Sequence, residues 1–345
     1  MSIIMTGGGT GGHLAIIRAV KEALVTESRE HRADNNEVMV YVGSTKGQDK
    51  AWFGEDEDFA HKYFFETRGV VNQGALGKVK SLSMMAKAIL RSVKILRAHK
   101  AKVVFSVGGF SAAPMAFAAK LTGTPLVIHE QNAAIGTLNR VLKPYAKHFI
   151  SSYEADSPVK AYPVKEIFFE NARIRKEVKT VIFLGGSQGA QAINRLALQI
   201  APQLHERGIR IIHQAGERNI EEVRGLYEAL GIKAEVFGFS DQIAALMKEA
   251  DFAIARAGAS TLWELSATAL PTLFVPYPYA AGDHQYYNAK FLVEKDLAWM
   301  MREEDLESDK VLALTSEDMQ PKSEGLMQLI ERDGSRQIAD LLRRV

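Results

Sequence analysis

The chain has 345 residues, of which 47% are hydrophobic and 24% charged, the composition of a folded globular protein long enough for two domains. It contains no cysteine, which excludes disulfides and thiolate chemistry and suits a reducing compartment, and no apolar run reaches the ~20 residues needed to cross a bilayer. The net charge is only +2, yet residues 1–165 carry 22 Lys/Arg against 14 Asp/Glu while the remainder carries 21 against 27, so the first half suits an anionic partner, either membrane lipid or nucleic acid.

In chain order, "SIIMT" reads as a buried strand and passes straight into "GGGTGG", leaving no room for a signal peptide. His13 then opens a helix. Closely spaced glycines let backbone N–H groups approach a ligand, and a helix start favours an anion. Gly7, Gly9 and Gly12 satisfy GxGxxG, but a dinucleotide site also wants an acid ending the second strand. That strand ends "VYVGSTKG", with Gly43, Ser44 and Thr45 where the acid belongs, which argues against a dehydrogenase.

"KYFFET" continues the strand series. The segment 74–100 then places Leu82, Met85, Ile89, Val93 and Leu96 at helical spacing, with Lys87, Arg91, Lys94 and Arg97 on another face. A core helix with a solvated basic face explains this pattern. So does docking on anionic headgroups, with Leu76 and Val79 in "VVNQGALGKVK" as a shallowly inserting tip among Lys78, Lys80 and Lys87. "KVVFSVG" ends at Gly108 and Gly109. "PLVIHE" ends at His129 and Glu130, each either a supporting group or a competing base beside Asn132. "KHFISS" leads to "DSPVKAYPVKEIFF", where Pro158 and Pro163 mark a join.

The second half repeats the scheme with "TVIFLGG", "IRIIHQAG", "AEVFGF", "DFAIARAG" and "TLFVPYP". Strands alternating with helices imply two doubly wound parallel sheets, with ligands beyond the carboxyl ends of the strands. Gly185, Gly186, Ser187 and Gly189 form one more glycine turn, and Gly258 precedes Ser260, Thr261 and Glu264 in another. Four such turns over both halves point to a phosphorylated ligand. His213 reads as a packed strand-end histidine. "SRQIADLLRRV" reads as a closing helix able to pack on either domain. No HExxH or clustered His/Asp pattern suggests a bound metal.

Taken together, "GGGTGGH", "HEQN" (129–132), "GGSQGA" (185–190), "GASTLWE" (258–264) and "DHQYYNA" (283–289) resemble the MurG family, glycosyltransferase family 28, in the right order through most of the chain. The resemblance implies an α/β GT-B fold, two doubly wound Rossmann-like domains facing across a cleft. Residues 1–163 would form the acceptor and membrane-facing domain, with a helix at about 330–345 free to pack back on it. Residues 164–329 would bind UDP-GlcNAc. The implied reaction is inverting transfer of GlcNAc to the 4-hydroxyl of the MurNAc of lipid I, giving lipid II for peptidoglycan, and with it cell shape and division. It implies a peripheral protein on the cytoplasmic face of the inner membrane, with UDP-GlcNAc, lipid I and an anionic membrane surface as partners, and nucleic acid unnecessary. No cofactor is implied, although the leaving group leaves room for a loosely held divalent ion.

Carried over by position, Thr10, Gly11 and Gly12 would line the diphosphate and sugar side, and Asn132 would contact the sugar. Ser187 would bind phosphate and Ser240 would hold the uracil through its backbone. Ala259, Ser260, Thr261 and Leu262 would take the diphosphate on a helix start, Glu264 the ribose hydroxyls, and Gln285 the sugar hydroxyls. Lys165, in "YPVK", stands where the family has an arginine near the phosphates, which keeps the charge and loses the bidentate fork. The chain also lacks the proline usual soon after GGH, and carries Ser240 and His284 where larger apolar and glutamine residues can stand.

An inverting transfer needs a base and a positive field for the leaving diphosphate. His13 is the candidate base. The alternative is that it packs on the turn or binds phosphate. Glu264 has its own alternative, an acid favouring the helix dipole. Two rivals remain: another UDP-sugar enzyme of this fold, glycolipid synthase or epimerase, and a non-catalytic UDP-sugar sensor.

Overall fold

The computed structural model describes residues 1–30, 37–66, 75–186 and 189–345, with the side chains of 27–30, 75–80 and 82 outside the description. The chain divides into two compact units, Met1–Pro163 with Asp333–Val345, and Val164–Arg332.

The first unit is built on six parallel strands: β1 (Ser2–Thr6), β2 (Val38–Ser44), β3 (His61–Phe65), β4 (Ala101–Ser106), β5 (Leu126–Glu130) and β6 (His148–Ser151). Their order is β3-β2-β1-β4-β5-β6. Every residue of β1 and of β5 is buried, as expected for strands covered on both faces, which is why these runs are continuously apolar. The helix Ala75–Ala98 covers the sheet with Ala88, Ile95 and Leu96 buried and Ile89 and Val93 packed against the core. Lys87, Arg91, Lys94 and Arg97 are exposed on it; Leu82, Leu76, Val79, Lys78 and Lys80 lie outside the described side chains.

The closing helix, Gly334–Arg344, returns to this first unit and packs on the helix Gly11–Glu30. It buries Ile338, Ala339 and Leu342, and Arg343 pairs with Glu37 at 3.0 Å while donating to the Leu24 carbonyl at 3.0 Å.

The second unit repeats the architecture with β7 (Thr180–Leu184), β8 (Arg210–Gln214), β9 (Ala234–Phe237), β10 (Phe252–Ala255), β11 (Thr272–Phe274) and β12 (Trp299–Met300), ordered β12-β11-β10-β7-β8-β9. All its pairs are parallel. Counted from its own first strand, this order is that of the first unit. The two-residue β12 lacks the length for a periodic signal, and the sequence reading passes over it. The core gathers Val181, Phe183, Ile193, Ile200, Ile211 and Ile254.

Two arginines brace this core. Arg175 is fully buried and donates to the carbonyls of Met247 at 2.9 Å, Ala250 at 3.2 Å and Thr268, capping the ends of the helices Ile243–Glu249 and Ala259–Ala267. Burial pushes its guanidinium down to about 9. Arg173 adds an ion pair to Asp251 at 2.6 Å.

Candidate functional site

In each sheet the strand order reverses beside the first strand, between β1 and β4 and between β7 and β10. Loops leaving the carboxyl ends on the two sides of such a reversal diverge and open a crevice for a ligand. The glycine turns of the sequence sit at these points.

In the first unit the turn after β1 presses on the loop that follows β4. A Cβ on Gly7 would stand 2.4 Å from Val107 Cγ2, and one on Gly9 would stand 2.6 Å from the Phe110 ring. Gly7 and Gly9 also have φ of +129° and +86°, which side chains rarely adopt. Beneath the turn lies the fully buried carboxylate of Asp49, which accepts the N–H of Gly9 at 2.7 Å, that of Ser44 at 2.9 Å and the Tyr41 hydroxyl at 3.2 Å. A Cβ at Gly8 or Gly43 would fall within 2.7 Å of this carboxylate, so the glycines make its socket. Burial and Asp49 push the Tyr41 phenol far up, and its oxygen sits 2.9 Å from the Gly7 carbonyl. An acid does follow β2, but it faces inward and holds the turn instead of a ribose.

Thr10 is exposed just before the helix Gly11–Glu30, where Gly11, Gly12 and His13 form the first turn. His13 Nδ1 is 2.8 Å from Thr10 Oγ1, and Gln131 Nε2 donates to His13 Nε2 at 2.6 Å. Gln131 was not among the sequence candidates; its one signal is its place inside "HEQN", between residues that were.

The two neighbouring candidates at the end of β5 take different places. Glu130 Oε1 accepts the backbone and side-chain amides of Asn132, at 3.0 and 3.3 Å, while Oε2 accepts Gly136 N and Asn139 Nδ2, both at 2.9 Å. A carboxylate committed to four donors is a brace, which removes the competing-base reading. His129 is fully buried, burial lowers its imidazole to about 3 with His13 adding to the effect, and neither ring nitrogen has a hydrogen-bond partner among the described residues. It is therefore neutral at neutral pH and enclosed, not a base open to substrate.

In the second unit, the turn after β7 is described at Gly185, Gly186, Gly189 and Ala190; Ser187 lies outside the described residues. Gln214 Oε1 accepts Gly186 N at 3.1 Å, and a Cβ on Gly189 would stand 2.5 Å from the Ala215 carbonyl. His213 is buried, with Nε2 3.0 Å from Asn194 Oδ1 and Nδ1 3.0 Å from the Tyr227 hydroxyl, and burial pushes it down to about 4. It is a packed strand-end histidine.

The helix Ala259–Ala267 starts beyond β10 with Gly258 as its N-cap, which has no side chain to occupy the first amides. Ala259 and Leu262 are buried, and Ser260, Thr261 and Glu264 are half-buried. Glu264 is the sixth residue, in the second turn, so the helix-dipole explanation weakens, because that effect fades within the first turn. Asn288 donates to the Ala257 carbonyl at 3.2 Å and joins the helix His284–Val293 to this loop. Gln285 Oε1 accepts Tyr277 N at 2.9 Å, leaving its amide nitrogen as the donating end. Ser240 Oγ accepts Gln242 N at 3.1 Å beside the exposed Phe239, and Lys165 is the N-cap of the helix Glu166–Glu170. Among the described residues no three His, Cys, Asp or Glu side chains gather as a metal ion would require.

Two parallel α/β units of one strand order, each with loops gathered at its reversal point, define the Rossmann-like pair of the GT-B class. A crystal structure of Acinetobacter baumannii MurG has that fold, with a TM-score of 0.78 at 24% identity over 100% of this chain and 99% of that one. Residues 3–151 match the glycosyltransferase family 28 N-terminal domain and residues 180–342 its C-terminal domain. A relative from Sulfurovum sp. is 67% identical over 99% of this chain and 98% of its own, and one from Wolinella succinogenes is 50% identical over 99% of both. Both relatives bear the name UDP-N-acetylglucosamine–N-acetylmuramyl-(pentapeptide) pyrophosphoryl-undecaprenol N-acetylglucosamine transferase. The chain belongs to glycosyltransferase family 28.

Proposed function

We propose that this protein transfers GlcNAc from UDP-GlcNAc to the 4-hydroxyl of the MurNAc of lipid I, with inversion, forming lipid II. The observation that carries this reading is the 67% identity over 99% of the chain to a relative bearing that enzyme's name. The first unit takes the acceptor and supplies the base, His13. The second takes the donor. Ala259, Ser260, Thr261 and Leu262 hold the diphosphate at the start of an uncapped helix, Glu264 the ribose, Ser240 the uracil and Gln285 the sugar hydroxyls. Ser187 and Lys165 add phosphate contacts, while Thr10, Gly11 and Gly12 line the diphosphate and sugar side and Asn132 contacts the sugar. The leaving diphosphate gains charge as its bond to the sugar breaks, and fixed amide dipoles receive that charge without reorganising. The reading calls for no resident cofactor.

The buried carboxylate of Asp49 already occupies the N–H of Gly9 and fixes the first turn, on which Thr10 and His13 follow. Among the described residues, no such carboxylate accepts from Gly186 or caps the helix that begins at Ala259.

We also place the protein on the cytoplasmic face of the membrane, docked through the helix Ala75–Ala98. Lys87, Arg91, Lys94 and Arg97 are exposed there with Leu90, 65% exposed, among them. No helix among the described residues is long and apolar enough to cross a membrane.

Labelled UDP-GlcNAc, with and without a short-chain lipid I analogue, tests the reaction. Label is expected in the lipid fraction only with acceptor and wild-type protein, and His13→Ala is expected to abolish it. Donor binding without transfer would favour the UDP-sugar sensor. UDP release without this acceptor would favour a different UDP-sugar enzyme.

A further inference from the structure

The two nitrogens of His13 meet very different surroundings. Nδ1 faces the hydroxyl of Thr10, an exposed residue that a substrate can reach. Nε2 faces inward, against the Gln131 amide, 5% exposed, and the glycine backbone of residue 109, where a Cβ would come within 3.5 Å. A base must present its lone pair to the proton it takes. The inward nitrogen presents its lone pair to an amide.

In the arrangement shown, Gln131 donates to Nε2, so Nδ1 carries the ring proton and gives it to Thr10 Oγ1. Meanwhile Gln131 Oε1 is enclosed and accepts nothing. Once His13 has taken a proton, both nitrogens carry one. The inward N–H then needs an acceptor, and of the groups described there the Gln131 oxygen offers it. A half-turn of the amide leaves its footprint unchanged and brings that oxygen to Nε2.

We propose that Gln131 is a positioning residue whose amide, turned by a half-turn from the arrangement shown, selects the His13 tautomer protonated at Nε2, so that the acceptor's proton reaches Nδ1 through the Thr10 hydroxyl. This rests on the transfer reaction proposed above. The acceptor hydroxyl gives its proton to Thr10 Oγ1 as Thr10 passes its own proton to His13 Nδ1. The acceptor oxygen bonds to the anomeric carbon, the bond from that carbon to the diphosphate breaks, and UDP leaves with the electron pair. His13 is left as imidazolium, its Nε2–H held by Gln131 Oε1. The ionisable groups described around this pair stay out of the exchange. His129 is enclosed and neutral, Asp49 is committed to the turn, and Glu130 is committed to its four donors.

The test uses the full chain labelled with ¹⁵N-histidine, with UDP-GlcNAc bound, and compares it with pH–rate profiles. His13 is expected to show a protonated Nε2 and an imine-type Nδ1. Gln131→Glu, whose carboxylate favours the imidazolium, is expected to move the acid limb of the transfer profile up by about one pH unit. Thr10→Ala is expected to lower kcat at least about tenfold, and Thr10→Ser to restore it. A protonated Nδ1 in the donor complex, an unmoved acid limb in Gln131→Glu, or full kcat in Thr10→Ala would each overturn the proposal. Failure of the wild type to transfer label would instead overturn the reaction, while the ¹⁵N spectrum would still report the tautomer.

Discussion

Replacing Asp49 by asparagine keeps the size and shape of the side chain and changes one acceptor oxygen into a donor. The carboxylate oxygens hold two backbone N–H groups, Gly9 at 2.7 Å and Ser44 at 2.9 Å, in a fully buried socket. Hydrogen bonds to a charged group contribute about 1.5–3 kcal/mol each. Asparagine keeps one of them in weaker, neutral form and sets an N–H against an N–H at the other. Neutralising a buried charge recovers part of the loss, so the net cost is about 3 kcal/mol. For a unit of this size that lowers Tm by about 6–12 °C. If the turn then shifts by an ångström, Thr10 and His13 move with it, and misplacement on that scale costs about 10²-fold in rate. Thermal melts followed by circular dichroism read the first number, and the label-transfer assay reads the second. A Tm within about 2 °C of wild type, with kcat within about twofold, would show that the carboxylate does not hold the turn.

The buried histidines make stability depend on pH. His213 at about 4 and His129 at about 3 have folded values below their unfolded one, so each favours folding above about 6.5 and loses that contribution as pH falls toward the folded value. Between about pH 7 and 5 each unit should lose about 2 kcal/mol in urea unfolding, and a flat profile for either unit would contradict its buried neutral histidine. Glu130→Gln should raise KM for UDP-GlcNAc about tenfold by releasing Asn132, with the acid limb of the pH profile retained; a lost limb would make Glu130 the base. Changing Lys87, Arg91 and Lys94 together to glutamine should weaken binding to anionic vesicles by about 3 kcal/mol, roughly 10²-fold, and unchanged sedimentation with vesicles would remove this face from the docking surface.

The strands were legible because both sheets are parallel and covered on both faces, so "SIIMT" and "TVIFLGG" stand out as unbroken apolar runs between helical stretches. The glycine turns were legible because few residues other than glycine tolerate a φ of +129° or a carboxylate against the α-carbon. The groups that hold those turns were less so. Asp49 sits among Lys46, Lys50 and Glu55 in a polar stretch, and nothing in the spacing separates an inward carboxylate from a solvated one. The same holds for Gln131: "HEQN" marks a site, but which of its side chains turns toward His13 depends on the path of the chain beyond β5. The separation of Glu130 from Asn139 and of Arg175 from Thr268 hides their contacts in the same way. Periodicity reports which face of an element is buried. It is silent on hydrogen bonds joining loops from different strands.

The two units solve one packing problem with one strand order and then spend their turns differently. In the first, a buried acid takes an amide of the turn and the helix start carries a histidine, an arrangement that suits the base role proposed for His13. In the second, the turn rests on the neutral Gln214 amide and the helix Ala259–Ala267 starts from a glycine without a capping side chain. Its dipole therefore remains available to negative charge. On the proposed function, an acid under the second turn would repel the donor diphosphate, and the first turn without Asp49 would lose the anchor that aims Thr10 and His13. Each device thus serves the step proposed for its own unit: the inward carboxylate holds a turn that carries a histidine, and the helix without a capping side chain offers its amides to negative charge.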